Sequence, residues 1–122
     1  MKYMDSEKRR QAVEQILTRR IQNIFPSREE VVERLASSER LTVYWGIDPT
    51  GTDIHIGHTI PLLVLRDLAQ LGHDMVLLIG DFTARIGDPS GKSVARVALT
   101  TDQVESNMAT YLGQIKKILP LD

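Results

Sequence analysis

His55 and His58 stand three residues apart in the tetrapeptide His55-Ile56-Gly57-His58, between two apolar stretches, Val43 to Ile47 and Ile60 to Leu71. A strand followed by a helix would set both imidazoles at a helix N-terminus. Free amides and the positive end of the helix dipole favour an anion there, and two histidines add donors to the same charge, so this junction has the chemistry of a phosphate site. A second stretch, GDFTARIGDPSGKS from Gly80 to Ser93, carries complementary groups. Gly87 and Gly91 let backbone amides approach an oxyanion. Asp88 offers a carboxylate to an ammonium group, and Lys92 and Arg96 bring cations on long side chains.

Other readings of the same residues are weaker on spacing. A P-loop needs glycine, four residues, then Gly-Lys-Ser or Gly-Lys-Thr, but Ile86 holds the required first position and Gly87 comes one residue late. Two histidines three apart also fit a pair of helix-cap residues or a metal pair, but a zinc helix spaces its histidines four apart around a glutamate, and no cysteine or third histidine stands nearby. His73, directly after Gly72, reads as a helix C-terminal residue favoured by the dipole and is given no function. Asp48-Pro49 alone is a turn. Lys8, Arg9, Arg10, Arg19 and Arg20 gather on the first helix, where a solvated face is the plain reading and an RNA contact the sharper one.

The elements that must position these groups follow from periodicity. Val13, Ile16, Leu17, Ile21 and Ile24 predict an amphipathic helix over about residues 5 to 24, closed by Pro26. Ser27 with Glu30 is a capping-box pattern opening a second short helix through Val31, Val32 and Leu35. Leu41 to Ile47 reads as a strand, broken by Asp48-Pro49-Thr50-Gly51. The helix carrying His58 tolerates Pro61 near its first turn and stops at Gly72. Met75 to Gly80 has no alternation, which suits a strand buried on both faces of a parallel sheet. Thr100 with Gln103 opens a last helix whose period (Val104, Met108, Tyr111, Leu112, Ile115, Ile118, Leu119) runs to Pro120. Strand, helix, strand is a βαβ unit, and ligands of such sheets bind beyond the carboxyl ends of the strands, where the Asp48 turn and the Asp81 loop both begin.

Bulk composition sets limits. The chain has 122 residues, 42% of them hydrophobic, which suits one modest core. A formal net charge of -1 provides no global attraction for nucleic acid or an anionic membrane, so a phosphate site must be local. There is no cysteine and hence no disulfide or thiolate chemistry. No apolar run approaches the roughly 20 residues needed to cross a bilayer, and the first residues lack the apolar stretch of a secretory signal.

The combination VYWGIDPTGTDIHIGH, a spacer helix, then LIGDFTARIGDPSGKS and LTTDQVESNMATYLGQIKKIL resembles the catalytic domain of bacterial tyrosyl-tRNA synthetases, from about Leu41 to Asp122. HIGH marks the class I superfamily, whereas GIDPT before it and IGDPSGK after it are more specific to the tyrosine enzymes. The resemblance implies an α/β fold: a Rossmann-like parallel sheet of the HUP-type class I synthetase nucleotide-binding kind. Here it would be incomplete and preceded by N-terminal helices, with residues 1–40 as a helical segment and 41–122 as the first half of the catalytic domain.

It also implies a reaction. ATP and L-tyrosine give tyrosyl-adenylate, and the tyrosyl group then passes to tRNA(Tyr). The carboxylate attacks the α-phosphate in line, which asks for positioning and charge stabilisation and not for a nucleophilic side chain. By resemblance, His55 and Thr50 grip the outer phosphates, and Gly57 and His58 hold the nucleotide. Lys92 and Arg96 close over the pyrophosphate. Tyr44 reads the substrate phenol, Asp88 meets its ammonium group, and Asp48 and the backbone at Gly46 border the adenylate. ATP enters as substrate accompanied by Mg2+, with no metal held by the protein itself. The resemblance further implies a homodimer, a cytoplasmic location and no membrane partner. Trp45 and Asp81-Phe82 depart from common forms of the pattern. The downstream half of the family's sheet and its KMSKS loop would lie beyond Asp122, so the chain is expected to be an N-terminal fragment with weak ATP affinity and little or no aminoacylation of its own. A non-catalytic nucleotide-binding module and a P-loop-like phosphotransferase are the alternatives.

Overall fold

A computed structural model describes residues 4–49, 51–81 and 99–121. The described elements are α1 (Ser6–Arg20), α2 (Arg28–Ala36), β1 (Thr42–Ile47), α3 (Ile56–Gln70), β2 (Asp74–Ile79) and α4 (Thr101–Ile115). β1 and β2 pair in parallel, Thr42 opposite Asp74 through Ile47 opposite Ile79, with α3 as the connection between them. This is the βαβ unit expected from the sequence.

α3 sits between two clusters of buried side chains. Its Leu62 and Leu65 join Ile47, Tyr111, Ile115 and Leu119 beneath the sheet. Its Leu68 joins Val13, Leu17, Val32 and Leu35 against the N-terminal helices. Each fully buried leucine contributes about 1.5 to 3 kcal/mol, so these two contacts fix α3 against both layers. Arg20 of α1 reinforces the second with a 2.6 Å hydrogen bond to Asp67. The Asp67 carboxyl is pushed up by its own burial, yet hydrogen bonds from Arg20 and Arg66 outweigh that and hold it below its usual range.

The local signals for helix ends translate directly. Ser27 Oγ accepts from Glu30 N at 3.2 Å, but the Glu30 carboxylate takes the Ser27 hydroxyl and not its amide, so this cap stands without the reciprocal half of the box. Thr100 and Gln103 cap each other, with Gln103 N donating to Thr100 Oγ1 at 3.2 Å and Thr100 N to Gln103 Oε1 at 2.9 Å. Gly72 takes φ 94°, a left-handed conformation natural to glycine, while Gly72 N bonds Ala69 O and His73 N bonds Leu68 O.

Four expectations need correction. α1 ends at Arg20, with Ile21 already extended, and not near residue 24; Ile21 and Ile24 pack on the second cluster from beyond the helix, so the apolar spacing that suggested a longer helix reports burial and not helical backbone. α4 ends at Ile115, after which Lys117 N and Ile118 N turn back to Gln114 O and Ile115 O in a tighter coil. Among the described residues β2 is covered on one face: Met75, Leu77 and Ile79 pack inward, whereas Val76 and Leu78 are 38% and 49% exposed. His73 does not serve α3 as a dipole partner. It is 4% exposed, Leu41 N donates to its Nδ1 at 3.2 Å, and its Nε2 lies 3.0 Å from Leu35 O. The proton therefore sits on Nε2, and the ring ties the end of α2 to the start of β1. Arg9 lies 3.3 Å from the same ring and donates to Leu71 O at 2.6 Å. Two of the five cations on α1, Arg9 and Arg20, are thus absorbed in packing, while Lys8, Arg10 and Arg19 remain on the exposed face.

Candidate functional site: two histidines capping one helix

His55 is the N-cap of α3, with extended backbone angles of φ -105° and ψ 172°. Gly57 N donates to His55 Nδ1 at 3.1 Å, and His55 N donates to His58 Nδ1 at 3.0 Å. The rings stack with centroids 3.8 Å apart and planes 23° apart. Each histidine thus satisfies an amide that a helix start would leave orphaned. Both Nδ1 atoms accept, so each neutral ring carries its proton on Nε2, leaving that N–H as the donor the cap does not use. Burial, and then repulsion from His55, pushes the His58 pKa below its ordinary 6.5. Trp45 and Tyr111 border the same imidazole at centroid distances of 6.4 and 6.2 Å.

Gly57 acquires a reason beyond ligand access. A Cβ there would stand 2.9 Å from His55 Cε1 and 3.0 Å from Nδ1, too close to coexist with the cap.

The structure brings His55, Gly57 and His58 together. It places Asp48 half-buried just after β1. Tyr44, 69% exposed, and Gly46 lie on the open face of the sheet, while Trp45 turns to the inner face toward His58. The histidine pair and Tyr44 therefore approach the end of β1 from opposite faces of the strand. A Cβ at position 46 would meet nothing within 4 Å. Thr50, Asp88, Lys92 and Arg96 fall outside the described residues. Among the described residues no group of three His, Cys, Asp or Glu is placed to hold a metal ion. A shallow groove of about 260 Å³ lies beyond Trp45, lined by Arg20, Ile21, Ile60, Pro61, Val64 and Leu65; it is apolar and lacks the histidines, so the chemistry favours the helix terminus over the groove.

Two residues of this neighbourhood escape a reading by motif. Asn107 and Gln114 on α4 hydrogen-bond to the loop that carries His55. Their one sequence signal is polarity beside the apolar stripe of Val104, Met108, Tyr111 and Ile115.

Comparison with known proteins adds an independent line. The tyrosine–tRNA ligase of Trichormus variabilis is 50% identical over 114 residues, covering 87% of this chain and 29% of that protein. That of Idiomarina loihiensis is 53% identical over 91 residues, covering 75% and 23%. Among solved structures, a C-terminally truncated mitochondrial tyrosyl-tRNA synthetase of Aspergillus nidulans superposes with a TM-score of 0.71 at 27% identity, over 92% of this chain and 34% of that one. The chain therefore spans under a third of the length of the two relatives, and its fold is part of a Rossmann-like class I synthetase domain with helices in front. The family model of tRNA synthetases class I (W and Y) matches residues 36–122, and the chain belongs to that family.

Proposed function

We propose that this chain supplies the nucleotide-gripping part of a tyrosine–tRNA ligase, with residues 1–40 as a supporting helical segment and 41–122 as the first half of the catalytic domain. The observation that carries the reading is the reciprocal histidine cap: two imidazoles held by Nδ1 at a helix N-terminus, each with Nε2–H free of the cap, in a chain of this family.

In the proposed reaction a carboxylate oxygen of tyrosine forms a bond to the α-phosphorus of ATP as the bond to the bridging oxygen breaks, and pyrophosphate leaves with the electron pair. Negative charge moves onto the leaving group. His55 and Thr50 meet it on the outer phosphates, and Lys92 and Arg96 close over it. Donors that are already oriented need no reorganisation as the charge develops, which is why a fixed tautomer matters. Gly57 and His58 hold the nucleotide, Asp48 and the Gly46 backbone border the adenylate, and Tyr44 and Asp88 receive the phenol and ammonium groups of tyrosine. A tRNA hydroxyl then forms an ester with the tyrosyl carbonyl carbon as that carbon's bond to the phosphate oxygen breaks, and AMP leaves. Mg2+ arrives with the nucleotide. A homodimer working in the cytoplasm completes the reading, which the length of the relatives makes a statement about the whole protein.

The test is ATP titration of the 122-residue chain, together with tyrosine-dependent pyrophosphate exchange in a full-length protein carrying it. Removing one of the Nε2–H donors with His58→Ala should weaken ATP about tenfold, equivalent to about 1.4 kcal/mol. ATP binding indifferent to both histidines, or exchange that proceeds without tyrosine, would refute the reading.

A further inference from the structure

We propose that Asn107 and Gln114 of α4 are positioning residues that hold the β1–α3 loop in the shape the histidine cap requires. The geometry stands alone; the consequence for ligand binding rests on the nucleotide reading above. Seven residues apart is two helical turns, so both side chains share one face of α4, with Tyr111 between them. Asn107, 7% exposed, donates from Nδ2 to Pro49 O at 2.8 Å, where the loop leaves β1. Gln114 holds the other end: its Nε2 donates to Thr52 O and to Asp53 Oδ1, each at 3.1 Å, and its Oε1 accepts from Ile54 N at 2.9 Å.

The register of these bonds gives the inference its content. Ile54 N and His55 N are consecutive amides. The first is taken by Gln114 Oε1 and the second by His58 Nδ1, so the peptide that enters the cap is fixed from α4 and from α3 at once. Only a carboxamide can do this at position 114. A carboxylate would keep the bond from Ile54 N but could not donate to Thr52 O, and it would repel Asp53; an ammonium group could donate but not accept. Tyr111 adds a third contact from the same face, tilted against the His58 ring at 6.2 Å. α4 is thereby more than a cover for the apolar core: its polar positions aim the loop and its aromatic one borders the imidazole.

Gln114→Ala, Gln114→Glu and Asn107→Ala are to be compared with Val32→Ala, a core variant on α2 remote from the loop, as a control for destabilisation alone. Three readouts are needed: amide exchange at Ile54 and His55 without ligand, the ¹⁵N signature of the His58 Nδ1 acceptor, and ATP affinity. Gln114→Ala should speed exchange at both amides by about tenfold, shift the His58 signal and weaken ATP. Gln114→Glu should restore protection at Ile54 by keeping the acceptor. Should Gln114→Ala fail to fold, Asn107→Ala reports on the same amides. Unchanged exchange at Ile54 and His55 in Gln114→Ala, or in Asn107→Ala where it must stand in, or a His58 shift equal to that of Val32→Ala, overturns the proposal. If the unmodified chain binds no ATP, the nucleotide reading fails, while exchange and the histidine signal still decide the clamp.

Discussion

Gly57→Ala separates the stability of α3 from the placement of His55. The new Cβ would lie 2.9 Å from His55 Cε1 and 3.0 Å from Nδ1, whereas carbon atoms in ordinary contact stand at about 3.5 Å or more. The ring must therefore retreat by about half an ångström. It is not free to do so at no cost, because Gly57 N donates to its Nδ1 at 3.1 Å and it stacks on His58 at 3.8 Å. Losing an N-cap costs about 1 kcal/mol. Replacing glycine by alanine within a helix returns about 0.5 to 1 kcal/mol. The two nearly cancel, so the denaturation midpoint should barely move. ATP affinity should nevertheless drop about tenfold, since a misplaced imidazole forfeits a hydrogen bond to a charged phosphate worth about 1.5 kcal/mol or more. Urea denaturation, histidine ¹⁵N spectra and ATP titration on one sample decide it. A variant that gains the full helix-propensity increment, keeps the His55 signal and binds ATP unchanged would show that the cap does not constrain the ring.

Three further outcomes follow from the same contacts. His58 should titrate below 6.5; because the unfolded chain then takes up the proton first, the stability held at neutral pH should fall as pH drops below about 6.5, and His58→Gln should remove that limb from a series of urea melts. The depressed Asp67 carboxyl works on a lower window: its contribution is complete above the unfolded value near 3.8 and lost as pH falls through the folded one, and Asp67→Asn should cost about 1 kcal/mol at neutral pH, the pair being partly exposed. Val76→Lys with Leu78→Lys, placed on the open sheet face, should reduce self-association in sedimentation while leaving the melting profile near that of the parent, since neither side chain contributes to the buried clusters. An unchanged sedimentation profile in a chain that self-associates would dismiss that face as the cause.

What the sequence made legible was local. Ser27 with Glu30 and Thr100 with Gln103 meet within one turn, so residue type and spacing suffice to place the starts of two helices. Gly72 ends α3 for an equally local reason, its positive φ. The histidine pair belongs to this class, because both caps close within three residues. The partners of His73 lie 32 and 38 residues away in the chain, and those of Asn107 and Gln114 about 60 away. No periodicity carries that information. The open face of β2 departs from expectation for a related reason: a continuous apolar run reports hydrophobicity on both sides of a strand, not which neighbours cover them.

This division bears on how the site works. The β1–α3 loop sets how firmly the cap stays closed, but which ring atoms are left to donate is decided within four consecutive residues around Gly57. Their direction is not, because a capped helix start can still swing as a unit on the loop that leads into it. Here that loop is bonded at Pro49 and again at Thr52 to Ile54 by two carboxamides of a single helix. Tautomer and direction thus answer to different residues. Substitutions at His55, Gly57 or His58 should change what the rings donate, whereas substitutions at Asn107 or Gln114 should loosen the cap and change where its donors point.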